Sequence, residues 1–205
     1  MATRKIVLVR HGEYDWDESP GPHKGMTPRG VEQAHLTARR LSSLAASAIY
    51  SSDLMRAIET AEMIRNGRDG VPYEQDLELR ECCPAGPAYR NVPVEVIDAG
   101  QRQAESVFDR YFLPSNEDRH DIIVSHGNMI RYLTARALGN ANSWFRMRTS
   151  NCGITELDIE SDGRMWVVSY NDVGHLPAHL ITAGLPSGAH SAAAGPSVNP
   201  VSPKV

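Results

Sequence analysis

The chain has 205 residues, 41% of them apolar and 22% charged, an ordinary globular composition with enough length for one sizeable core. Its formal net charge of −4 argues against a nucleic-acid surface, which would need a basic stripe, and no run approaches the roughly 20 apolar residues that a membrane span requires. In chain order, Met1-Ala2-Thr3-Arg4-Lys5 enters a strand almost at once, without the pattern of a leader. Residues 6–9, Ile-Val-Leu-Val, read as a buried strand ending on Arg10, His11 and Gly12. A loop rich in glycine and proline follows. Thr27 as N-cap and Pro28 at the first helical position open a helix. Its apolar face is predicted at Val31, Ala34, Ala38, Leu41 and Ala45.

Residues 48–50 form a short predicted strand, and Ser51-Ser52-Asp53 offers caps to a helix over 54–65. Residues 73–79 read as a weak strand reaching Arg80 and Glu81, and 82–93 as a loop with three prolines. Three cysteines, two of them adjacent at Cys82 and Cys83, suit neither a disulfide framework nor a zinc site. A reducing cytoplasm is the expected location. A helix is predicted over 94–112, a strand over 121–124, and a helix over 127–138 with Met129, Ile130, Leu133 and Ala137 inward. Segments 154–159 and 165–169 flank Ser161-Asp162-Gly163, a hairpin signal. Strand–helix alternation predicts a mostly parallel central sheet with right-handed crossovers and helices on both faces. Residues 183–205, rich in Ala, Gly, Pro and Ser, are expected to be a disordered tail after one domain over 1–182. Trp144, Phe145 and Trp166 suit a homodimer interface as readily as a core.

The informative pattern is an echo. Val9-Arg10-His11-Gly12 and Val124-Ser125-His126-Gly127 both place His-Gly at the end of an apolar strand, and parallel strands deliver both to one edge, where open α/β sheets bind ligands. Two converging histidines suggest a metal, but metal sites add carboxylate or thiolate partners and avoid adjacent guanidinium groups. Arg10 and Arg56 stand here instead, Arg56 at a helix start. Arginine forks and helix N-termini bind phosphate, so the site is read as an anion site with no metal. Glu81 is either an acid for that site or a simple partner of Arg80.

Arg10-His11-Gly12, Met26-Thr27-Pro28-Arg29-Gly30 with Gln33-Ala34, the run from Ser51 through Arg56 to Thr60, Leu79-Arg80-Glu81 and Ser125-His126-Gly127 occur in an order that resembles the histidine phosphatase superfamily, with its three-layer phosphoglycerate-mutase-like α/β fold. The resemblance covers roughly residues 5–170. It implies that His11 attacks phosphorus and forms a phosphohistidine, which requires a neutral ring with its other nitrogen held by a backbone carbonyl. Arg10, Arg56 and His126 would hold the phosphoryl oxygens. Glu81 would protonate the leaving oxygen and then deprotonate water. Gly12, Tyr14, Asp17 and Gly127 would line the substrate site, and no cofactor is implied.

Mutase-type members have a hydroxyl residue and an asparagine where this chain has Tyr14 and Asp17, and a longer insertion before the second histidine. Tyr14, the stretch from Arg56 to Thr60, Leu79-Arg80-Glu81 with Pro84, the stretch from His126 to Tyr132, Asn151 to Thr155 and Gly174 to Pro177 are instead similar to the phosphoprotein-directed branch, typified by a mitochondrial Ser/Thr protein phosphatase. A pocket lined by Tyr14, Trp16 and Tyr89 suits a phosphorylated side chain. The membrane anchor and assembly segment of that branch are not matched, so the expectation is a phosphomonoesterase in the cytoplasm, off the membrane, acting on phosphoproteins. Small phosphate esters, phosphoglycerate interconversion and phosphohistidine are the alternatives, and a non-catalytic phospho-binding scaffold the last.

Overall fold

The computed structural model describes residues 2–15, 23–84 and 92–183. Their order is β1 (Thr3–Arg10), α1 (Pro28–Leu41), β2 (Ala48–Ser51), α2 (Met55–Arg65), β3 (Tyr73–Gln75), α3 (Val94–Tyr111), β4 (Arg119–Ser125), α4 (Gly127–Ala137), β5 (Ile154–Glu160) and β6 (Met165–Asp172), with short 3-10 segments at Leu77–Leu79, Ala141–Arg146 and Ala178–Leu180. The strands form one sheet in the order β3-β2-β4-β1-β5-β6. β1, β2, β3 and β4 are mutually parallel, while β5 runs antiparallel to β1 and β6 to β5.

β1 is apolar throughout its centre because both of its faces are covered. Ile6 and Leu8 join Val107 of α3 and Met129 and Leu133 of α4 on one side. Val7 and Val9 join Leu41 of α1 and Ala57, Ala61 and Ile64 of α2 on the other. This is the expected three-layer arrangement. Trp144 lies wholly within the first of these cores, whereas Trp166 is exposed on the edge strand.

α1 begins as predicted, with Thr27 Oγ1 accepting from the Gly30 N–H at 3.0 Å and Pro28 in the first turn. Its inner face differs from the apolar reading. Ala45 lies beyond the helix and is exposed, while Gln33 and Thr37 are fully buried. The predicted caps of α2 are also redirected. Ser52 Oγ accepts from the Leu54 N–H at 3.2 Å and also meets His126, while Asp53 pairs with Arg80. The weak segment over 73–79 divides into β3 and a 3-10 turn, which Asp76 caps by accepting from the Glu78 N–H. Ala183, assigned to the tail by composition, pairs with Ser150 in an isolated bridge. The rest of the predicted tail lies outside the described residues.

Register places the site. Arg10 stands opposite Ser125, and Ser51 opposite Val124. The three central parallel strands therefore end level, and the chain leaves them at His11, Ser52 and His126.

Candidate active site

His11 and His126 are 2% and 1% exposed, with ring centroids 4.9 Å apart. His11 Nδ1 lies 2.8 Å from the Gly12 carbonyl oxygen. A carbonyl only accepts, so Nδ1 carries the proton and Nε2 carries the lone pair. That lone pair accepts from Arg56 Nε at 3.2 Å. Burial, then His126, Arg10 and Arg56, hold the His11 pKa well below its ordinary 6.5. The ring is neutral at physiological pH.

Arg56, in the first turn of α2, reaches across the sheet edge. Its second nitrogen lies 3.4 Å from His126 Nδ1, and His126 Nε2 lies 2.9 Å from Ser52 Oγ. With a guanidinium donating to Nδ1, the ring proton sits on Nε2 and points to Ser52. Burial, and then Arg56, Arg10 and Arg80, push the His126 pKa well down. Tyr14 closes the other side of Arg56, whose Cζ stands 4.2 Å over the tyrosine ring, a cation–π contact. The same ring meets His11 edge-on at 5.3 Å.

Arg10 is 6% exposed and donates to the Thr149 carbonyl at 2.8 Å. Gly127 packs against it, since a Cβ there would lie 3.5 Å from Arg10 Cζ and 3.2 Å from Thr149 Oγ1. Glu81 Oε1 accepts from the Asn128 N–H at 2.9 Å and the Cys82 N–H at 3.3 Å, so it caps the first turn of α4 beside His126. One side of Glu81 is open to solvent. The protein crowded about its carboxyl raises its pKa, with Arg10 and the Asn128 N–H pulling the other way. The alternative partner is taken, because Arg80 binds Asp53 through two bonds, the one from Nε at 2.6 Å.

His11, Arg10, Arg56, His126, Gly12, Tyr14 and Gly127 thus meet at one sheet edge with Glu81 at its rim. Asp17, Trp16 and Tyr89 lie outside the described residues. Cys82 and Cys152 are buried, unbridged thiols with pKa values raised by burial, that of Cys152 to about 12. Several contributors escape a reading of motifs. Ser52 orients His126, and Thr60 Oγ1 accepts from the Gly12 N–H at 3.1 Å. Asn151 Nδ2 donates to the His11 carbonyl at 3.1 Å. Ser52 was read only as a helix cap, and Thr60 lay within the quoted run without a role. Asn151 had only its place before Cys152-Gly153 to mark it.

A family model described as the histidine phosphatase superfamily (branch 1) matches residues 6–86 and 84–173. The chain belongs to that superfamily. It is 35% identical over 193 residues to the mitochondrial serine/threonine-protein phosphatase PGAM5 of Rattus norvegicus, covering 88% of this chain and 67% of that protein. Against the mitochondrial Pgam5 phosphatase of Caenorhabditis elegans the identity is 32% over 197 residues, again covering 88% and 67%. Among solved structures, a phosphoglycerate mutase from Plasmodium falciparum superposes with a TM-score of 0.61 at 29% identity, covering 87% of this chain and 96% of that one.

This histidine phosphatase is therefore a hydrolase of phosphomonoesters, and its substrates are phosphorylated molecules. The expectation of a cytoplasmic location does not stand: the curated relatives at this level of identity are named as mitochondrial proteins. Reduced thiols report a redox environment and do not name a compartment.

Proposed function

We propose that this phosphatase works through a phosphohistidine on His11 and takes Ser/Thr-phosphorylated proteins as substrates. The carrying observation is the tautomer lock: Gly12 holds the Nδ1 proton, so the Nε2 lone pair faces Arg56 and His126. A phosphoryl group competes for the Arg56 N–H groups and so frees that lone pair. The dianion also raises the pKa of His126, which takes up a proton on Nδ1 and donates it to a phosphoryl oxygen. His11 Nε2 then forms the bond to phosphorus as the bond to the ester oxygen breaks, and Glu81 gives that oxygen its proton. Arg10, Arg56 and His126 hold the three equatorial oxygens as charge shifts during transfer. Water attacks the phosphohistidine, Glu81 takes its proton, and inorganic phosphate leaves.

The phosphoprotein reading is supported by the curated relatives, named serine/threonine-protein phosphatases, and by the Tyr14 ring beside Arg56, where a mutase carries a hydroxyl residue. The Plasmodium falciparum mutase supports a second reading, phosphoglycerate interconversion. One panel separates them: phosphoserine and phosphothreonine peptides, a phosphohistidine peptide, and the two phosphoglycerate isomers. Phosphate release from the Ser/Thr peptides is expected. Isomer interconversion without phosphate release would overturn the substrate proposal. His11→Ala should abolish both turnover and acid-labile phosphoenzyme, and a variant with wild-type activity would refute the mechanism.

A further inference from the structure

The C-terminal segment after β6 returns across the molecule to the loop that carries His11. Thr182 Oγ1 is the meeting point of two buried amides. It accepts from Gln33 Nε2 at 2.9 Å and donates to Asn151 Oδ1 at 3.0 Å. Gln33 Oε1 in turn accepts from the Glu13 N–H at 2.8 Å, and Asn151 Nδ2 donates to the His11 carbonyl at 3.1 Å. Each amide therefore has one end on Thr182 and the other on the nucleophile loop. The segment is fastened further by the Asn151 N–H donating to the Thr182 carbonyl at 3.2 Å and by Gln33 Nε2 donating to the Leu180 carbonyl at 2.7 Å.

These bonds form a circuit around Gly12. It runs from the Glu13 N–H through Gln33, Thr182 and Asn151 to the His11 carbonyl, with every donor followed by an acceptor that donates onward. Such chains polarise one another in a buried setting, and Gln33 and Asn151 are 0% and 4% exposed. The two peptide groups either side of Gly12 are thereby fully partnered. In the first, the His11 carbonyl takes Asn151 and the Gly12 N–H gives to Thr60. In the second, the Glu13 N–H gives to Gln33, and the Gly12 carbonyl is left to face the His11 ring. The plane of that second peptide decides where the acceptor for Nδ1–H points, and hence which nitrogen of His11 carries the lone pair.

We propose that Thr182 is a positioning residue: by closing this circuit, the C-terminal segment holds the Gly12 peptide in the orientation that fixes the nucleophilic tautomer of His11. Thr182 touches no reacting atom and acts through Asn151 and Gln33. The inference rests on His11 being the nucleophile.

The 205-residue chain tests it. Thr182→Val removes the hydroxyl at nearly constant shape, and Thr182→Ser keeps it. Thr182→Val is expected to lower kcat on p-nitrophenyl phosphate by about tenfold or more with KM changed less than about twofold, because displacing a reacting group by ~1 Å costs up to about 10²-fold. Thr182→Ser should restore wild-type kcat. Imidazole ¹⁵N spectra should show a single His11 tautomer in the wild type and Thr182→Ser, and a mixture in Thr182→Val. If Thr182→Val keeps both the wild-type kcat and the single tautomer, or if Thr182→Ser loses as much kcat as Thr182→Val, the proposal is overturned. Should Thr182→Val fail to fold, Thr182→Ala provides the same comparison with a smaller side chain. Active His11→Ala protein would instead sink the mechanism, and the tautomer comparison would still report on the circuit.

Discussion

Gly12→Ala isolates the fit of the nucleophile loop against α1. An added Cβ would lie 2.5 Å from Met26 Sδ and 2.6 Å from the Gly30 carbonyl oxygen. The sulfur is the end of a flexible side chain and yields. The Gly30 oxygen belongs to the capped first turn of α1, whose Gly30 N–H is bonded to Thr27 Oγ1 at 3.0 Å, and a Cβ at Gly30 would itself collide with the Glu13 backbone. Residue 12 must therefore retreat by roughly 0.8 Å to reach the 3.4 Å of ordinary contact. That movement stretches the 3.1 Å bond to Thr60 and tilts the carbonyl that holds His11 Nδ1. Overpacking of this kind costs about 1–3 kcal/mol, and each kcal/mol lowers Tm by about 2–4 °C for a chain of this size. A displacement approaching 1 Å at a nucleophile lowers kcat by up to about 10²-fold. Calorimetry and initial rates at saturating p-nitrophenyl phosphate measure both. Gly127→Ala is the comparison, since its Cβ would meet Thr149 Oγ1 at 3.2 Å and Arg10 Cζ at 3.5 Å, contacts that a few tenths of an ångström relieve. It should lose far less. Wild-type kcat and Tm in Gly12→Ala would refute the reasoning.

Stability should fall as pH drops below 6.5. Both site histidines have folded pKa values well below the ordinary 6.5, so in that window the unfolded chain binds protons that the folded site refuses. The slope is about 1.4 kcal/mol per pH unit for each histidine, levelling once the lower folded values are passed. Urea midpoints across pH 4.5–7.5 that stay flat in the wild type, or an unchanged slope in His126→Gln, would contradict it. Glu81→Gln should lower kcat by about 10²–10⁴-fold on an alkyl phosphate, where the leaving oxygen needs a proton. The loss in phosphoenzyme formation should be much smaller on p-nitrophenyl phosphate, read by rapid-quench trapping. Equal losses on both substrates would remove Glu81 from the acid role. At the opposite sheet edge, Asp121 Oδ2 takes Arg4 Nε at 2.8 Å and Arg119 Nε at 2.7 Å with both partners' charge focused on a fully buried carboxylate. Asp121→Ala leaves Arg4 buried and unpaired, which costs about 3–5 kcal/mol, yet the kcat per folded molecule should be unchanged. A large fall in kcat would mean that the two sheet edges are coupled.

What could be read in advance follows from the range of the forces involved. Ile6 to Val9 are legible as a strand because burial on both faces requires an unbroken apolar run, and the result is 0–1% exposure at all four residues. The two His-Gly pairs are legible as one site because parallel strands of equal register must end together, as Arg10 opposite Ser125 shows. Thr27-Pro28 is legible because capping is settled within four residues. Buried polar residues carry no such local signature. On the inner face of α1 a periodicity argument selects Ala34 and Leu41 and passes over Gln33, which is buried only because Glu13, Leu180 and Thr182 satisfy its amide from as far as 149 positions away. Ser52 and Asp53 read as helix caps, but His126 and Arg80 compete for them across 74 and 27 positions, and each of those bonds serves a charged or catalytic group. Charge is a property of composition and short motifs, so the anion site is visible in the chain. The direction in which His11 offers its lone pair depends on peptide planes fixed by the far end of the sequence, and that requires the folded circuit through Thr182.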